Sequence, residues 1–301
     1  MPSLREIHRK IKSVKSTEQI TKAMKMVAAA RMRKSQQAIL AARPFASRME
    51  QLAKDLAAIE AGARAEGLAE SSAVHSFFEK RTGGPAALIL VTADKGLCGA
   101  FNSNLIRAAI GWLKARAGRK VYVAAVGRKG RDFLHRLRGH DLEFLTELAG
   151  IFPKVQFSHA ELLGRAVIEA YETKGLASVT LIYNEFKSVA SQNLVETTLL
   201  PIPSPQGKSV DETAIAEYGF EPPRPQLLAA LLPRFVKAQL YRVLLESQAA
   251  ELAARMNAMD AASNNANELR QSLNLGLNRK RQAIITREIA ELVGGAEALA
   301  S

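Results

Sequence analysis

The chain has 301 residues and a formal net charge of +13, with 48% apolar and 6% aromatic side chains. This length and apolar content suffice for one ordinary domain together with extended parts. The excess of positive charge favours an acidic partner, a class that includes nucleic acid, anionic lipid and acidic protein surfaces. The single cysteine excludes an internal disulfide and fits a reducing compartment. No apolar run is long enough to cross a membrane, and the charged N-terminus is unlike a signal peptide.

The first predicted element is a long helix that begins near Ser3, with Glu6 placed to complete a capping box. Apolar side chains then recur at steps of 3 and 4 residues, which indicates a narrow seam for a partner helix. The predicted seam residues are Leu4, Ile7, Ile11, Val14, Ile20, Met24 and Val27. The polar residues 16–19 interrupt this pattern and are interpreted as a skip in the seam. Pro44 is expected to bend the helix.

The same helix is strongly basic. Residues 1–54 hold 13 Lys and Arg against 3 Glu, a surplus of 10. Most charge runs are solvated faces, but this surplus is too lopsided for solubility alone. Nucleic-acid binding normally adds aromatic side chains between the cations, and His8 is the only aromatic ring in residues 1–43. An acidic protein surface is therefore the favoured partner.

The middle of the chain alternates between strand and helix patterns. Continuous apolar runs predict buried strands at residues 86–92, 120–126 and 178–183, with a further strand expected within residues 186–202. Helices are predicted at residues 103–117, 129–137 and 157–173. This order predicts a small α/β sandwich with a largely parallel sheet. The proline-rich residues 201–225 are interpreted as an irregular connector.

A second long helix is predicted after Pro233, from residue 234 to about residue 293, which is on the order of 90 Å. A helix of this length needs a partner, and the first helix is the candidate. The predicted fold class is therefore α/β, a long antiparallel coiled coil of the N- and C-terminal helices with an inserted small α/β (Rossmann-like) sandwich domain. The predicted segments are residues 1–62, residues 63–225 with the insert and its connectors, and residues 226–301.

Residues 91–102 join a predicted strand to a helix and carry Gly96 and Gly99 beside Lys95. Such a loop can cradle a phosphate group, but its spacing matches neither a Walker A loop nor a dinucleotide-binding turn. A structural turn is the favoured interpretation, and the same holds for residues 127–130. An independent α/β enzyme that uses this loop stays open as an alternative, as does a coiled-coil nucleic-acid adaptor.

Other reactive side chains form no recognisable site in the sequence. His135 and His140 are five residues apart, which is not a usual spacing for metal ligands on one helix face. Asp94 and Cys98 lack a histidine nearby that would make them a base and a nucleophile. The sequence therefore predicts no catalytic site, no cofactor and no metal site on this chain.

Three longer stretches resemble the γ subunits of F-type ATP synthases, of the bacterial type. They are residues 20–34, residues 92–99 and residues 278–289, in the order that this family has. The resemblance extends from the first helix to the last, and it is weakest in the connector at residues 201–225. The cysteine-bearing insertion of the chloroplast relatives is absent.

The resemblance implies a central rotor shaft that turns inside a ring of three α and three β subunits. Rotation would couple proton translocation through the membrane sector to ATP synthesis or hydrolysis on the β subunits, and the shaft would also regulate the ATPase activity. The implied partners are the α and β subunits, the ε subunit and the ring of c subunits, with δ in the same complex and no nucleic acid. The chain would meet the membrane only through the complex, on the cytoplasmic side of the bacterial inner membrane.

The resemblance also implies which residues contact the β subunits. They are Met24, Lys25, Arg31, Arg33, Lys34, Arg281, Gln282 and Thr286. Arg281 and Gln282 match family residues that hydrogen-bond a β loop, and Met24 matches one packed near β. The basic residues of the first helix would face acidic segments of β, in agreement with the surplus of positive charge in residues 1–54.

Overall fold

The computed structural model describes residues 3–65, 75–81, 83–152, 154–203 and 224–300. The chain forms two compact units, one of Met1–Ala29 with Arg255–Ser301 and the other of Ala30–Ala254. Two long helices, α1 (Leu4–Ala65) and a C-terminal helix (Arg224–Ala300), each contribute residues to both units. None of the described helices is apolar over a length that would cross a bilayer.

The larger unit contains a five-stranded sheet. Its strands are β1 (Ala86–Val91), β2 (Val121–Val126), β3 (Leu142–Leu148), β4 (Ser178–Phe186) and β5 (Gln192–Leu200). They lie in the order β3-β2-β1-β4-β5, with the first four parallel and β5 antiparallel to β4. This confirms the largely parallel sheet and the strand predicted within residues 186–202. The sequence prediction missed β3, because this edge strand mixes charged and apolar residues and has no continuous apolar run.

Three helices of the insert lie close to their predicted positions. They are α2 (Phe101–Lys114), α3 (Arg128–Arg136) and α4 (Phe157–Thr173). Successive side chains of β1 point to opposite faces of the sheet. One face packs Leu88 and Leu90 with Leu105 of α2 and Leu134 of α3. The other face packs Ile89 against α4 and the two long helices.

The larger unit holds its portions of the two long helices against this sheet. The last helix, α5 (Arg224–Ala300), buries Val236, Leu240 and Val243 in the same core as α4. Ser35 Oγ of α1 donates to Gln248 Oε1 of α5 at 3.2 Å, and Gln248 Nε2 donates to the Phe152 carbonyl at 2.7 Å. Apolar burial and a buried hydrogen-bond relay therefore tie both helices to the insert.

The helix α5 begins at Arg224, two residues before the predicted C-terminal segment and ten before Arg234, and it runs through Pro233. A proline inside a helix costs about 3 kcal/mol because it removes a hydrogen bond and crowds the preceding turn. Leu228 and Leu232 are both buried ahead of it. Since burying each leucine contributes roughly 1.5–3 kcal/mol, packing offsets the local penalty and the helix continues. The connector prediction for residues 201–225 falls mostly outside the described residues.

The helix α1 starts with the predicted capping box. The backbone N–H of Glu6 donates to Ser3 Oγ at 3.2 Å, and the backbone N–H of Ser3 donates to Glu6 Oε2 at 2.7 Å. The helix is continuous through Pro44, and the bend expected there stays a prediction. The division of the chain at residues 62 and 225 also stays a prediction.

The seam of α1 differs from the predicted one after Val14. Shielded side chains continue at alternating steps of 4 and 3 residues along the whole helix. They are Ile7, Ile11, Val14, Glu18, Thr21, Lys25, Ala28, Met32, Ser35, Ile39, Ala42, Ala46, Met49, Ala53 and Leu56. The skip predicted at residues 16–19 is therefore wrong, because the polar Glu18 and Thr21 occupy regular seam positions. Ile20 and Val27, predicted for the seam, are 56% and 53% exposed.

Candidate functional site

The smaller unit is built on a pair of antiparallel helices. Lys25 Nζ of α1 donates to Asp260 Oδ1 of α5 at 2.6 Å, and Arg270 Nε of α5 donates to Glu18 Oε2 of α1 at 3.0 Å. Residue numbers rise along α1 as they fall along α5, so the two helices run in opposite directions. This confirms the predicted antiparallel coiled coil and shows that ion pairs join its helices.

The outer face of α1 is basic. Its exposed cations include Arg5, Arg9, Lys10, Lys12, Lys15, Lys22, Arg31, Arg33, Lys34, Arg43 and Arg48. Among them are three residues that the family resemblance assigns to a β contact, Arg31, Arg33 and Lys34. A positive surface of this density attracts acidic groups over distances longer than a hydrogen bond.

Exposed apolar side chains lie among these cations. Ile20, Met26 and Val27 of the smaller unit are each more than half exposed. Side chains of this size are normally shielded, and an exposed group of them indicates a surface that another molecule covers. The sequence pattern assigned Ile20 and Val27 to the seam. In the structure they lie instead on the exposed surface.

The far part of α5 is also exposed. Its shielded stripe ends at the half-buried Ile284, and every residue from 285 to 296 is exposed. Arg281 and Gln282 are exposed just before Ile284, and Thr286 is exposed just after it. The large apolar side chains Ile285, Ile289, Leu292 and Val293 are exposed there too. Polar hydrogen-bonding groups and an apolar surface therefore occur together at the end of this helix.

Two of the predicted contact residues already make contacts within the chain. Met24 is half-buried, and Lys25 is half-buried and paired with Asp260. The other six predicted contact residues are exposed. The contact of all eight with a β subunit stays a prediction.

Sequence reasoning missed Glu18, Asp260 and Arg270. The signal for Glu18 was present, because continuing the steps Ile7, Ile11 and Val14 by 4 and then 3 residues reaches Glu18 and then Thr21. A search restricted to apolar residues skips these positions. Arg270 follows the same alternation on α5 through Met259, Ser263 and Ala266.

The loop after β1 is a structural junction. Asp94 Oδ1 accepts hydrogen bonds from the backbone N–H groups of Arg128 at 3.1 Å and Gly150 at 2.7 Å. The carboxylate therefore occupies the start of α3, where a bound phosphate would otherwise find its donors. Thr92 Oγ1 accepts from the Gly130 N–H at 2.7 Å and donates to the Val126 carbonyl at 3.0 Å. These contacts support the structural interpretation of the loop over the enzymatic alternative.

Gly127 is required at the same junction. Its φ of +86° is disfavoured for other residues, and a Cβ at this position would lie 2.1 Å from the Thr92 carbonyl oxygen. Gly127 thus allows the close approach of two backbone segments, and Gly130 lies against the Thr92 side chain, in line with the structural interpretation.

The remaining reactive residues do not assemble a site. His135 Nε2 lies 2.8 Å from Glu147 Oε1, a carboxylate partner that the sequence did not reveal. Cys98 is buried and close to Asn102 Nδ2, at 3.2 Å. Within the described residues, no group of three His, Cys, Asp or Glu side chains could hold a metal ion.

One cavity of about 260 Å³ opens within the larger unit, lined by α1, α5 and the end of β4. Four ionisable side chains line it, Arg43, Glu185, Arg242 and Glu246. Glu246 is buried, and in the described part of the chain its Oε2 has no hydrogen-bond partner. Burial raises the pKa of Glu246, and Glu185 raises it further, while Arg242 and Arg43 act in the opposite direction.

Comparisons with known proteins agree with one another. A family model described as ATP synthase matches residues 3–299. The ATP synthase gamma chain of Elusimicrobium minutum is 43% identical, with 99% of each chain covered. The ATP synthase gamma chain of Anaeromyxobacter sp. (strain K) is 44% identical, over 99% of this chain and 100% of that one.

Solved structures show the same architecture. A chain of the central stalk and c-ring of the Tetrahymena thermophila mitochondrial ATP synthase is 27% identical with a TM-score of 0.57, covering 81% of this chain and 99% of that one. A chain of the Euglena gracilis mitochondrial ATP synthase in rotational state 3 shares the fold with a TM-score of 0.64 at 19% identity, covering 98% of this chain and 94% of that one. The chain described here belongs to the family of ATP synthase gamma chains.

Proposed function

We propose that this chain is the central rotor shaft of an F-type ATP synthase. In this role its rotation inside a ring of three α and three β subunits couples proton translocation to ATP synthesis or hydrolysis, and its position regulates the ATPase activity. The observation that carries the proposal is the helix pair of the smaller unit, whose two helices are held together inside while their outer surface presents cations and uncovered apolar side chains.

The two kinds of exposed group suit a shaft that turns against its partner. Charge attraction acts over about 8 Å at physiological salt, so it tolerates a changing geometry better than a close-packed fit does. The basic residues Lys25, Arg31, Arg33 and Lys34 would act in this way on acidic segments of β. The apolar end of α5 would be covered by an apolar surface of the partner, since about 25 cal/mol is gained per Å² of apolar surface that leaves water.

Direct hydrogen bonds are assigned to the exposed part of α5. Arg281 would donate to a β loop, Gln282 would exchange hydrogen bonds with the same loop, and Thr286 lies one turn further on. Met24 would pack near β beside the exposed Met26 and Val27. All three α5 side chains are exposed, as a contact with a separate subunit requires.

The wider assembly is part of the proposal. The chain would also bind the ε subunit and the ring of c subunits, and it would share the complex with δ. It would reach the membrane only through that complex, on the cytoplasmic side of the bacterial inner membrane. The bacterial origin of the two gamma chains described above supports this setting.

Nucleotide chemistry is assigned to β and not to this chain. The loop at Asp94 supports this assignment, because its carboxylate already uses the backbone donors that a phosphate group would need. The basic α1 has exposed apolar neighbours but, before Phe45, no phenylalanine, tyrosine or tryptophan on which a base could stack. The shaft is therefore a better account of the basic face than a nucleic-acid site.

In the first experiment, purified α and β subunits are mixed with and without this chain. The mixtures are separated by size exclusion, and the fractions are then assayed for ATP hydrolysis. We expect one copy of the chain to co-elute with three α and three β subunits and to sustain a higher rate of hydrolysis. A folded chain that elutes alone and leaves the rate unchanged, in a mixture with α and β from the same bacterium, contradicts the proposal.

The variants Arg281→Ala and Gln282→Ala test the assignment of contact residues. Each removes hydrogen bonds to β, so we expect the ratio of proton pumping to ATP hydrolysis in the membrane complex to fall by about fivefold or more. Both side chains are exposed, so folding should be unaffected. Arg119→Ala, an exposed arginine of the insert, is the matched control and should pump normally. Normal pumping by both α5 variants would contradict these roles.

A further inference from the structure

The seam of the smaller unit has an unusual composition. Between Val14 and Met32, α1 offers only Glu18, Thr21, Lys25 and Ala28 at its seam positions. On α5 the corresponding stretch begins at Met259 and continues with Ser263 and Ala266 to Arg270. Large apolar side chains that insert into matching holes are what normally prevents two helices from sliding. Between Met259 and Arg270 the seam positions of α5 hold only small side chains, which provide little of that resistance. Polar groups are therefore candidates for fixing the axial register here.

The pair of Glu18 and Arg270 is suited to that task. Both residues occupy seam positions, and their side chains are only 25% and 32% exposed. Arg270 Nη2 also donates to Asn267 Oδ1 at 2.7 Å, which orients the guanidinium group on its own helix. Lys25 and Asp260 form a second, more exposed pair at another level of the seam.

We propose that Glu18 and Arg270 are positioning residues that set the axial register of α5 against α1. A shift by one heptad would move α5 by about 10 Å along its axis and would leave both charges half-buried without a partner. A polar seam position that selects one alignment in this way is known to specify the register of coiled coils. Such a pair adds little to overall stability, because desolvation opposes attraction, but it disfavours every other alignment.

The consequence for function concerns Arg281 and Gln282, and this step rests on the proposed function. Arg281 lies eleven residues beyond Arg270 on the same helix, about 16 Å along its axis. A rigid helix transmits any axial slip to that position in full. The Glu18–Arg270 pair therefore fixes the axial position of Arg281 and Gln282 relative to α1. It does so also when rotation applies force to the helix pair.

Cysteine cross-linking of the full chain tests the register directly. The double variant Ile11→Cys with Leu277→Cys lies one heptad from the ion pair on both helices, so we expect it to form a disulfide. The variant Ile11→Cys with Ile284→Cys is displaced by one heptad and should not. The native Cys98 is buried and can remain.

Charge reversal then decides the role of the ion pair. Glu18→Arg or Arg270→Glu places like charges together, and we expect the in-register cross-link to fall by about threefold or more and the displaced one to increase. Combining the two reversals restores an ion pair and should restore the original pattern. An in-register yield that neither single reversal changes overturns the proposal. If the single variants do not fold, the combined variant decides, and displaced cross-linking in it overturns the proposal.

A coupling measurement separates this proposal from the proposed function. In the membrane complex, each single reversal should lower the ratio of proton pumping to ATP hydrolysis, and the combined variant should recover it. Arg131→Glu breaks an ion pair of similar exposure in the insert and should leave the ratio unchanged. Shifted cross-links with normal coupling would support the register role and contradict the assignment of Arg281 and Gln282. Lost coupling with unshifted cross-links, or no recovery in the combined variant, would overturn the register proposal.

Discussion

Glu246 gives the contact between α1, α5 and the end of β4 a pH dependence that can be measured. Its carboxyl group is buried beside Arg242, and its pKa is raised first by burial and then by Glu185. A carboxyl with a raised pKa binds more protons in the folded chain than in the unfolded one. The free energy of unfolding therefore falls as the pH rises from the unfolded pKa of Glu246 through its folded pKa.

The substitution Glu246→Gln removes this titration. We expect the variant to unfold at a higher denaturant concentration than the wild type at pH 8, because there the wild type must either bury a charged carboxylate or take up a proton to fold. At pH 4 the wild-type carboxyl is protonated in the folded chain, so the difference should shrink. Denaturant unfolding, monitored by circular dichroism, measures the difference between variant and wild type at pH 8 and at pH 4. Glu288→Gln, an exposed position on α5, is the control and should show no difference.

An equal effect of Glu246→Gln at both pH values would mean that packing, and not ionisation, determines the change. A variant less stable than the wild type at pH 8 would show that attraction to Arg242 and Arg43 outweighs burial.

Some residues were predictable from the sequence and others were not. The structural interpretation of the Asp94 loop follows from glycine spacing, but its partners Arg128 and Gly150 are 34 and 56 residues away in the chain. The pairing of Glu18 with Arg270 spans 252 residues. Local spacing cannot reveal contacts of this range, because only the fold brings such residues together.

At the scale of elements, the helices and the central strands were predictable because each has a strong local pattern. The continuous apolar runs of β1, β2 and β4 match strands covered on both faces. The edge strand β3 was missed because its charged and apolar residues neither alternate regularly nor form a continuous apolar run, and its pairing with β2 decides its structure. The helix α5 continues through Pro233 because burial of Leu228 and Leu232 outweighs the local effect of that proline.

The corrected seam of α1 makes a prediction with two neighbouring residues. Ala28 is buried in the seam at 2% exposure, while Val27 faces outward. We expect Ala28→Leu to lower the free energy of unfolding by about 1–3 kcal/mol, since the seam has no room for a larger side chain. Val27→Ala should change it by less than about 0.5 kcal/mol. Thermal unfolding of the full chain measures both variants.

The opposite result, a large loss for Val27→Ala and none for Ala28→Leu, would restore the seam that apolar spacing alone predicted. It would also remove Val27 from the exposed surface proposed to meet a partner.

At the scale of the whole molecule, charge and periodicity predicted a basic helix pair with an acidic partner but not its biological role. The role came from three motifs in residues 20–34, 92–99 and 278–289, and the comparisons with gamma chains confirm the family. Physical reasoning now explains part of those motifs. Residues 92–99 build the junction at Asp94, and residues 278–289 span the change from the shielded seam to the exposed end of α5.

The central claim is that this chain rotates while the surrounding ring stays fixed. The direct measurement immobilises the complex through its β subunits and attaches a visible probe to Arg107→Cys, an exposed position on α2. With ATP, we expect sustained rotation of the probe in one direction, which stops when ATP is removed. Continued ATP hydrolysis by the same immobilised complexes with a stationary probe would contradict the account.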